Sequence, residues 1–408
     1  MIQFRTLKYL EVSTKFQART AHEKAVYPKE HTMNYNIERT LKNLEEKGVK
    51  IIDPRQVYVS PDVDLDRIYP GSILYPGTRL TGSRTLIGSG AKIGTEGPAC
   101  VNDSVIGREA SIASGYVTEC TLLPKAKAGA NCHFRGGTLL EEEANTAHAV
   151  GLKQTIMMYG VTMGSLINFC DALLSGGLSR KVHTEVGSGF IHFNFTPWGE
   201  SGDKATPSLI GTVTEGVFLD KPPIFLGGMS GIVGPKEIGF GAMTVAGQVV
   251  RKSVPDETMY SGDRFSFEKS FSYNNTMPSE KHIRMVRESN IEYLAQLYAL
   301  KAWYTQIRLE RSKICDDKEL SLVYAGALET LDECVKERTK RYKSFATRWD
   351  AELLDDTCLC ENPPKFEGSV DWKSELEYDK WIWSLSDSEK SELHDWIVSC
   401  ADKIKNNL

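Results

Sequence analysis

The chain has no run of about 18 consecutive apolar residues, so nothing in it reads as a membrane-spanning helix and no membrane partner is expected. It also lacks a large excess of charge of either sign. Forty-nine Lys and Arg against 54 Asp and Glu leave a net charge of −5. Such a balance gives no general attraction for nucleic acid or anionic lipid. The first residues, MIQFRTLKYLEVSTKFQART, lack the apolar core and small-residue cleavage site of a secretory signal. Cysteine motifs are missing too. Of nine cysteines only Cys358 and Cys360 lie close together, with His394 the one further ligand type moderately near. No metal is expected, and reduced thiols in a cytoplasmic protein are the natural reading.

What is present is a repeat. From Gly48 to Val254 an aliphatic residue followed by Gly or a small residue returns at roughly six-residue spacing. IGSGAKIG (87–94), VIGREASI (105–112) and EIGFGAMTVAG (237–247) are the clearest copies. Six fits neither the helical period of 3.6 nor the strand period of 2. It fits a parallel β-helix in which each hexapeptide forms one flat side of a triangular coil. The aliphatic residue points inward and stacks on its equivalents. The fold class expected is therefore mainly β, a left-handed parallel β-helix at 49–255. An N-terminal helical segment at 1–48 precedes it, with Ile37 to Gly48 as an amphipathic helix covering the first open edge. Residues 256–278 read as a connector and 279–408 as a C-terminal α-helical domain.

That last region has two long helical patterns, Ser279 to Leu309 and Lys318 to Trp349. Its tail from Ala351 carries 14 acidic and 6 basic residues. Ser386-x-x-Glu389 reads as a capping box, followed by Leu393, Trp396, Ile397, Cys400 and Ile404 on one face. Asn290 is the one polar interruption of the first stripe. The run Lys336 to Lys343 reads as the outer face of its helix. Glu141 to Glu143 reads as a solvated corner. The glycines at 88–94 are corner residues rather than a dinucleotide loop.

The middle of the repeat, Pro124 to Ile210, is irregular and rich in His, Asn, Arg and Lys. Irregularity in a regular scaffold is where function usually sits. Several motifs there and beside it carry a resemblance: GVKIIDPRQVYVSPDV, IYPGSILYPGTRL, HFRGGTL (133–139), GLKQT (151–155), GSGFIHFNF (187–195), FLGGMSGIVGP (225–235) and AGQVVRKSV (246–254). In order and spacing they resemble the glucosamine-1-phosphate acetyltransferase half of the bacterial bifunctional enzyme that makes UDP-N-acetylglucosamine. The resemblance covers about half the chain. The uridyltransferase half, with its Gly-rich nucleotidyltransferase loop, has no counterpart here.

The resemblance implies a homotrimer with sites between subunits and acetyl-CoA as co-substrate. Arg135 and Lys153 match the residues that hold the sugar phosphate. Asn194, with Phe195 in place of a tyrosine, matches the pair that contacts the sugar. Gly228 and Ala246 match positions along which acetyl-CoA binds. Arg251 and Lys204 are looser matches for basic residues near phosphates. The departure is at Gly164-Ser165-Leu166, where the family has Ser-His-Leu and the histidine is the general base. Asn168 stands at the family's nearby tyrosine. A neutral serine is no base at pH 7 without a partner.

Four histidines, His133, His148, His183 and His192, lie in the candidate region. His192 is the base expected for an active enzyme, two residues before Asn194 on the same strand. His148 stands where the family has asparagine, near Lys153. Each is equally readable as a hydrogen-bonded structural residue. The expected function is acyl transfer from acetyl-CoA to a sugar phosphate or UDP-amino sugar. The alternative is a non-catalytic trimer that binds a sugar nucleotide or serves as a scaffold, its helical tail recruiting a protein.

Overall fold

The computed structural model describes residues 35–193, 204–262, 268, 277–373 and 375–408. From Lys50 to Tyr260 the chain makes short strands, most of two to four residues, that pair in parallel with the strand one coil away. One side is an eleven-stranded parallel sheet. Its inward column pairs Ile51 with Leu74, Leu74 with Ile93 and Ile93 with Ile112, all buried. This stacking is the physical content of the six-residue period. Coils sit so close that small corner residues are needed. At Gly115, with φ of 123°, a Cβ would lie 2.1 Å from the Cys132 carbonyl oxygen.

The remaining two sides belong to one sheet of sixteen strands. The long strands Gly151–Met157 and Asn168–Leu174 span both. One of these sides is open. Its outward residues include Tyr58, Arg79, Tyr116, His133 and Asn168, while Val59, Leu80, Val117, Phe134 and Phe169 fill the interior. The other side is buried from both directions. Ile87, Ile106, Leu140 and Leu174 point inward, and Leu86, Val105, Leu139, Ile156, Leu173 and Leu209 point outward into a second core. Strands covered on both faces read as doublets of aliphatic residues rather than as alternation.

Helices supply that cover. α1 (Ile37–Glu46) closes the first coil, with the Asn36 side chain capping it and Leu41 and Leu44 in the β-helix core. α2 (Val213–Gly216) is a single turn. α3 (Glu280–Trp303), α4 (Leu309–Ile314) and α5 (Lys318–Trp349) form two long antiparallel rods, α3 and α4 being joined by a π-helical turn at Tyr304–Arg308. α6 (Tyr378–Ser384) and α7 (Asp387–Asn407) complete the layer. The expected capping box of Ser386 and Glu389 is present, and Leu393, Trp396, Ile397, Cys400 and Ile404 are all buried. α5 packs closely on the β-helix at Gly326, where a Cβ would lie 2.6 Å from a Val105 methyl. Thr330 bonds Thr121 there at 3.0 Å. No helix of the described residues is long and apolar enough to cross a membrane.

Two expectations are corrected. Glu141 and Glu142 are not a solvated corner. Both are buried under the helices. Arg308 holds Glu142 through both carboxylate oxygens at 2.7 and 2.9 Å and Glu141 at 3.1 Å. Tyr304 and Tyr324 donate to the same two carboxylates at 2.8 and 3.0 Å, and the guanidinium lies over the Tyr378 ring. Nor is the whole basic run on α5 an outer face. Arg338 is turned inward, buried, and paired with Asp171. In both cases a charge that looks free in sequence is neutralised by a partner more than 160 residues away, which local pattern does not reveal.

Candidate functional site

Strand alternation builds the open face. In Asn168–Leu174 the Phe169 ring points inward, so Asn168 and Cys170 point outward. Register pairs Gly151 with Asn168 and Lys153 with Cys170. Arg135 stands one coil earlier, its N–H bonded to the Leu152 carbonyl at 2.9 Å. The result is a column of Arg135, Lys153 and Cys170 on three successive coils. Arg135 Nη2 lies 3.9 Å from Cys170 Sγ. Burial pushes the Cys170 thiol up and Asp171 adds to this, while Arg135, Lys153 and Lys204 oppose it. Cys170 therefore stays a neutral thiol at the end of the column, beside the two cations.

The edge of the column is fixed by the helical layer. Arg338 of α5 pairs with Asp171 and donates to the Lys204 carbonyl at 3.0 Å. Neither Cys170 nor the Arg338–Asp171 tie emerges from motif matching. The only sequence signal for Cys170 is its place two residues after Asn168, which puts both on one face.

The corner beside this face brings together a second set. Leu166 N–H bonds the His148 carbonyl at 3.1 Å, Gly189 N–H the Ser165 carbonyl at 2.8 Å, Met229 N–H the Ser188 carbonyl at 2.7 Å and Gly247 N–H the Gly228 carbonyl at 3.0 Å. His148, Ser165, Ser188, Gly228 and Ala246 thus hold the same corner position on successive coils. The Ser165 Oγ is 3.0 Å from His148 Nδ1, and the Ser165 N–H donates to Ser188 Oγ at 3.0 Å. His148 is exposed and Ser165 half-buried. Gly228 and Ala246 continue the corner with almost no side chain. Arg251 is exposed, just beyond the strand Val249–Val250.

The other histidines lie elsewhere. His192 occupies the inward column. It is stacked on Phe169 with ring centroids 5.7 Å apart and in register with Ile232. Its Nε2 is 2.8 Å from Ser208 Oγ, and burial lowers its pKa to about 4. His133 stacks on Tyr116 on the open face. His183 bonds the Arg180 carbonyl in a short hairpin at 2.9 Å. Asn194 and Phe195 lie outside the described residues.

This β-helix has counterparts among known proteins. The chain is 29% identical over 232 residues to the bifunctional protein GlmU of Fervidobacterium nodosum, which covers 55% of the chain and 44% of that relative. It is 27% identical over 228 residues to the GlmU of Exiguobacterium sp., covering 54% and 43%. With the Thermus thermophilus protein it shares 30% over 153 residues, 36% and 30% of the two lengths. The β-helix fits the hexapeptide-repeat acetyltransferase half of GlmU. No family model matches the chain. The chain spans less than half the length of the curated relatives it matches.

Proposed function

We propose that this chain is a hexapeptide-repeat acyltransferase-like protein that binds a sugar phosphate or UDP-amino sugar on its open face. The acyl donor in this reading is acetyl-CoA. The observation that carries it is the column of Arg135, Lys153 and Cys170. Neighbouring coils are about 4.8 Å apart, so a guanidinium and an ammonium converge on one anion-sized space. A planar bidentate donor beside a flexible point charge suits a phosphate. Asn168 lies about 6.6 Å nearer the corner on the same face and suits a sugar hydroxyl. Asn194 and Phe195 are assigned to the same sugar on motif order alone.

The corner of small residues supports the donor's place. Gly228 and Ala246 offer an extended chain a corner with almost no side chain, with Arg251 available to its phosphates. The proposal includes a homotrimer, in which neighbouring subunits close the open sides, and a cytoplasmic setting. Its chemistry is attack of an acceptor amine on the thioester carbonyl, which forms a C–N bond and releases the thiol. The base is not assigned to His192, whose ring is enclosed between Phe169 and Ile232 and bonded to Ser208.

A second reading is favoured by one observation. Ser165 stands where a general base is expected, and loss of such a base costs about 10²–10⁴-fold in rate. On this reading the protein binds the sugar nucleotide without turnover, as a sensor or scaffold. Labelled acetyl-CoA supplied with glucosamine 1-phosphate and UDP-amino sugars separates the two. Acetylated product supports the enzyme. Ligand-induced thermal stabilisation with no product supports the binder.

A further inference from the structure

We infer that Ser165 and His148 form a proton relay at the corner of the β-helix, with His148 as the base that an acyl transfer here requires. This rests on the acyltransferase reading above and deepens it.

The geometry is that of a hydroxyl and its base. Ser165 Oγ and His148 Nδ1 are 3.0 Å apart, inside the reach of about 2.6–3.2 Å for proton transfer. The pair joins two successive coils, whose backbone ladder sets the two residues side by side while their side chains close the contact. The Leu166 N–H bonds the His148 carbonyl, and the Ser165 N–H is fixed by Ser188 Oγ. Both members hold the corner position that Gly228 and Ala246 continue on later coils. The imidazole is exposed, unlike His192, so a substrate can reach the hydroxyl while the proton leaves through the ring. Asn168, three residues after Ser165 and on the outward face, marks where an acceptor bound at Arg135 and Lys153 extends toward the corner.

The step balances without a further reactant. The acceptor nitrogen attacks the thioester carbonyl carbon, and the C–N bond forms as the C–S bond breaks. The nitrogen's proton passes to Ser165 Oγ as the Ser165 hydroxyl proton passes to His148 Nδ1. The imidazolium then protonates the departing thiolate, which restores the neutral ring. Serine is the conduit and never carries the acyl group.

The test uses the full chain and four proteins: the natural sequence, His148→Ala, Ser165→Ala and the double variant His148→Ala with Ser165→His. Each is assayed with labelled acetyl-CoA and an amino-sugar acceptor. Binding of the same sugar phosphate is followed by calorimetry. The relay predicts that His148→Ala lowers kcat about 100-fold or more and leaves sugar phosphate affinity unchanged. Ser165→Ala also lowers kcat, and the pH–rate limb of the natural protein disappears in His148→Ala. Ser165→His restores turnover to the His148→Ala background, because it returns an imidazole to the corner. Equal turnover in His148→Ala and the natural protein overturns the relay. So does sugar phosphate binding by the natural protein with no product, an outcome that leaves the binding reading intact. Absence of both binding and turnover overturns the relay together with the reading beneath it.

Discussion

His192 Nε2 lies 2.8 Å from Ser208 Oγ inside the β-helix, in the column otherwise filled by Leu152, Phe169, Ile232 and Val250. A histidine in an aliphatic stack must stay neutral, and burial lowers its pKa to about 4 against about 6.5 in the unfolded chain. The folded-state value is the lower one, so the unfolded chain binds the proton first. Stability is complete above pH 6.5 and falls as pH drops from 6.5 to 4, by about 3 kcal/mol. Urea unfolding at pH 7 and pH 5 measures it. His192→Phe should flatten the slope between those pH values. An unchanged slope would show that other groups dominate.

The buried cluster of Arg308, Glu141 and Glu142 locks α3 and α4 to the β-helix. Arg308→Met leaves two carboxylates without their cation and is expected to cost about 3–5 kcal/mol in denaturant unfolding. Replacing the three together, with Glu141→Gln, Glu142→Gln and Arg308→Met, should recover most of that loss. A single Arg308→Met that unfolds at the natural midpoint would contradict the assignment.

Gly326 sits where α5 meets Val105. Gly326→Leu forces the helix off the sheet and is expected to cost about 1–3 kcal/mol. Midpoint shifts in urea, compared with Glu333→Leu on the exposed face of the same helix, check this. Equal effects at the two sites would refute close packing at Gly326.

Removal of residues 279–408 exposes the outward column of Leu86, Val105, Leu139, Ile156, Leu173 and Leu209. Each such side chain contributes about 1.5–3 kcal/mol when buried. The shortened chain is therefore expected to aggregate, as read by light scattering after gel filtration. A monodisperse, folded product would mean that the helical layer only decorates the β-helix.

The repeat itself was legible because stacking ties a six-residue period directly to geometry. The doublets Leu86-Ile87, Val105-Ile106, Leu139-Leu140 and Leu173-Leu174 hold a signal for the covered side too, since consecutive aliphatic residues in a strand require two cores, but no covered side was expected from them. The Glu142–Arg308 and Asp171–Arg338 pairs were not legible. Each joins positions 166 and 167 residues apart, and charge alone does not distinguish a solvated end from a buried partner. At the candidate site, Arg135 and Lys153 followed from motif order. The Ser165–His148 contact needed the coil spacing, which sets position 148 directly against 165. His192 shows the opposite problem. Its neighbours in sequence suggested a site residue, while strand alternation turns its ring into the core.

The most direct test of the account is calorimetric titration of the full chain with glucosamine 1-phosphate and with UDP-N-acetylglucosamine, repeated for Arg135→Ala and Lys153→Ala. The account predicts saturable binding of at least one of the two ligands. Each substitution should weaken it about 10-fold or more, in line with about 1.5–3 kcal/mol for a hydrogen bond to a charged group. Raised salt should weaken it further. No binding by the natural protein, or binding that neither substitution weakens, would contradict it.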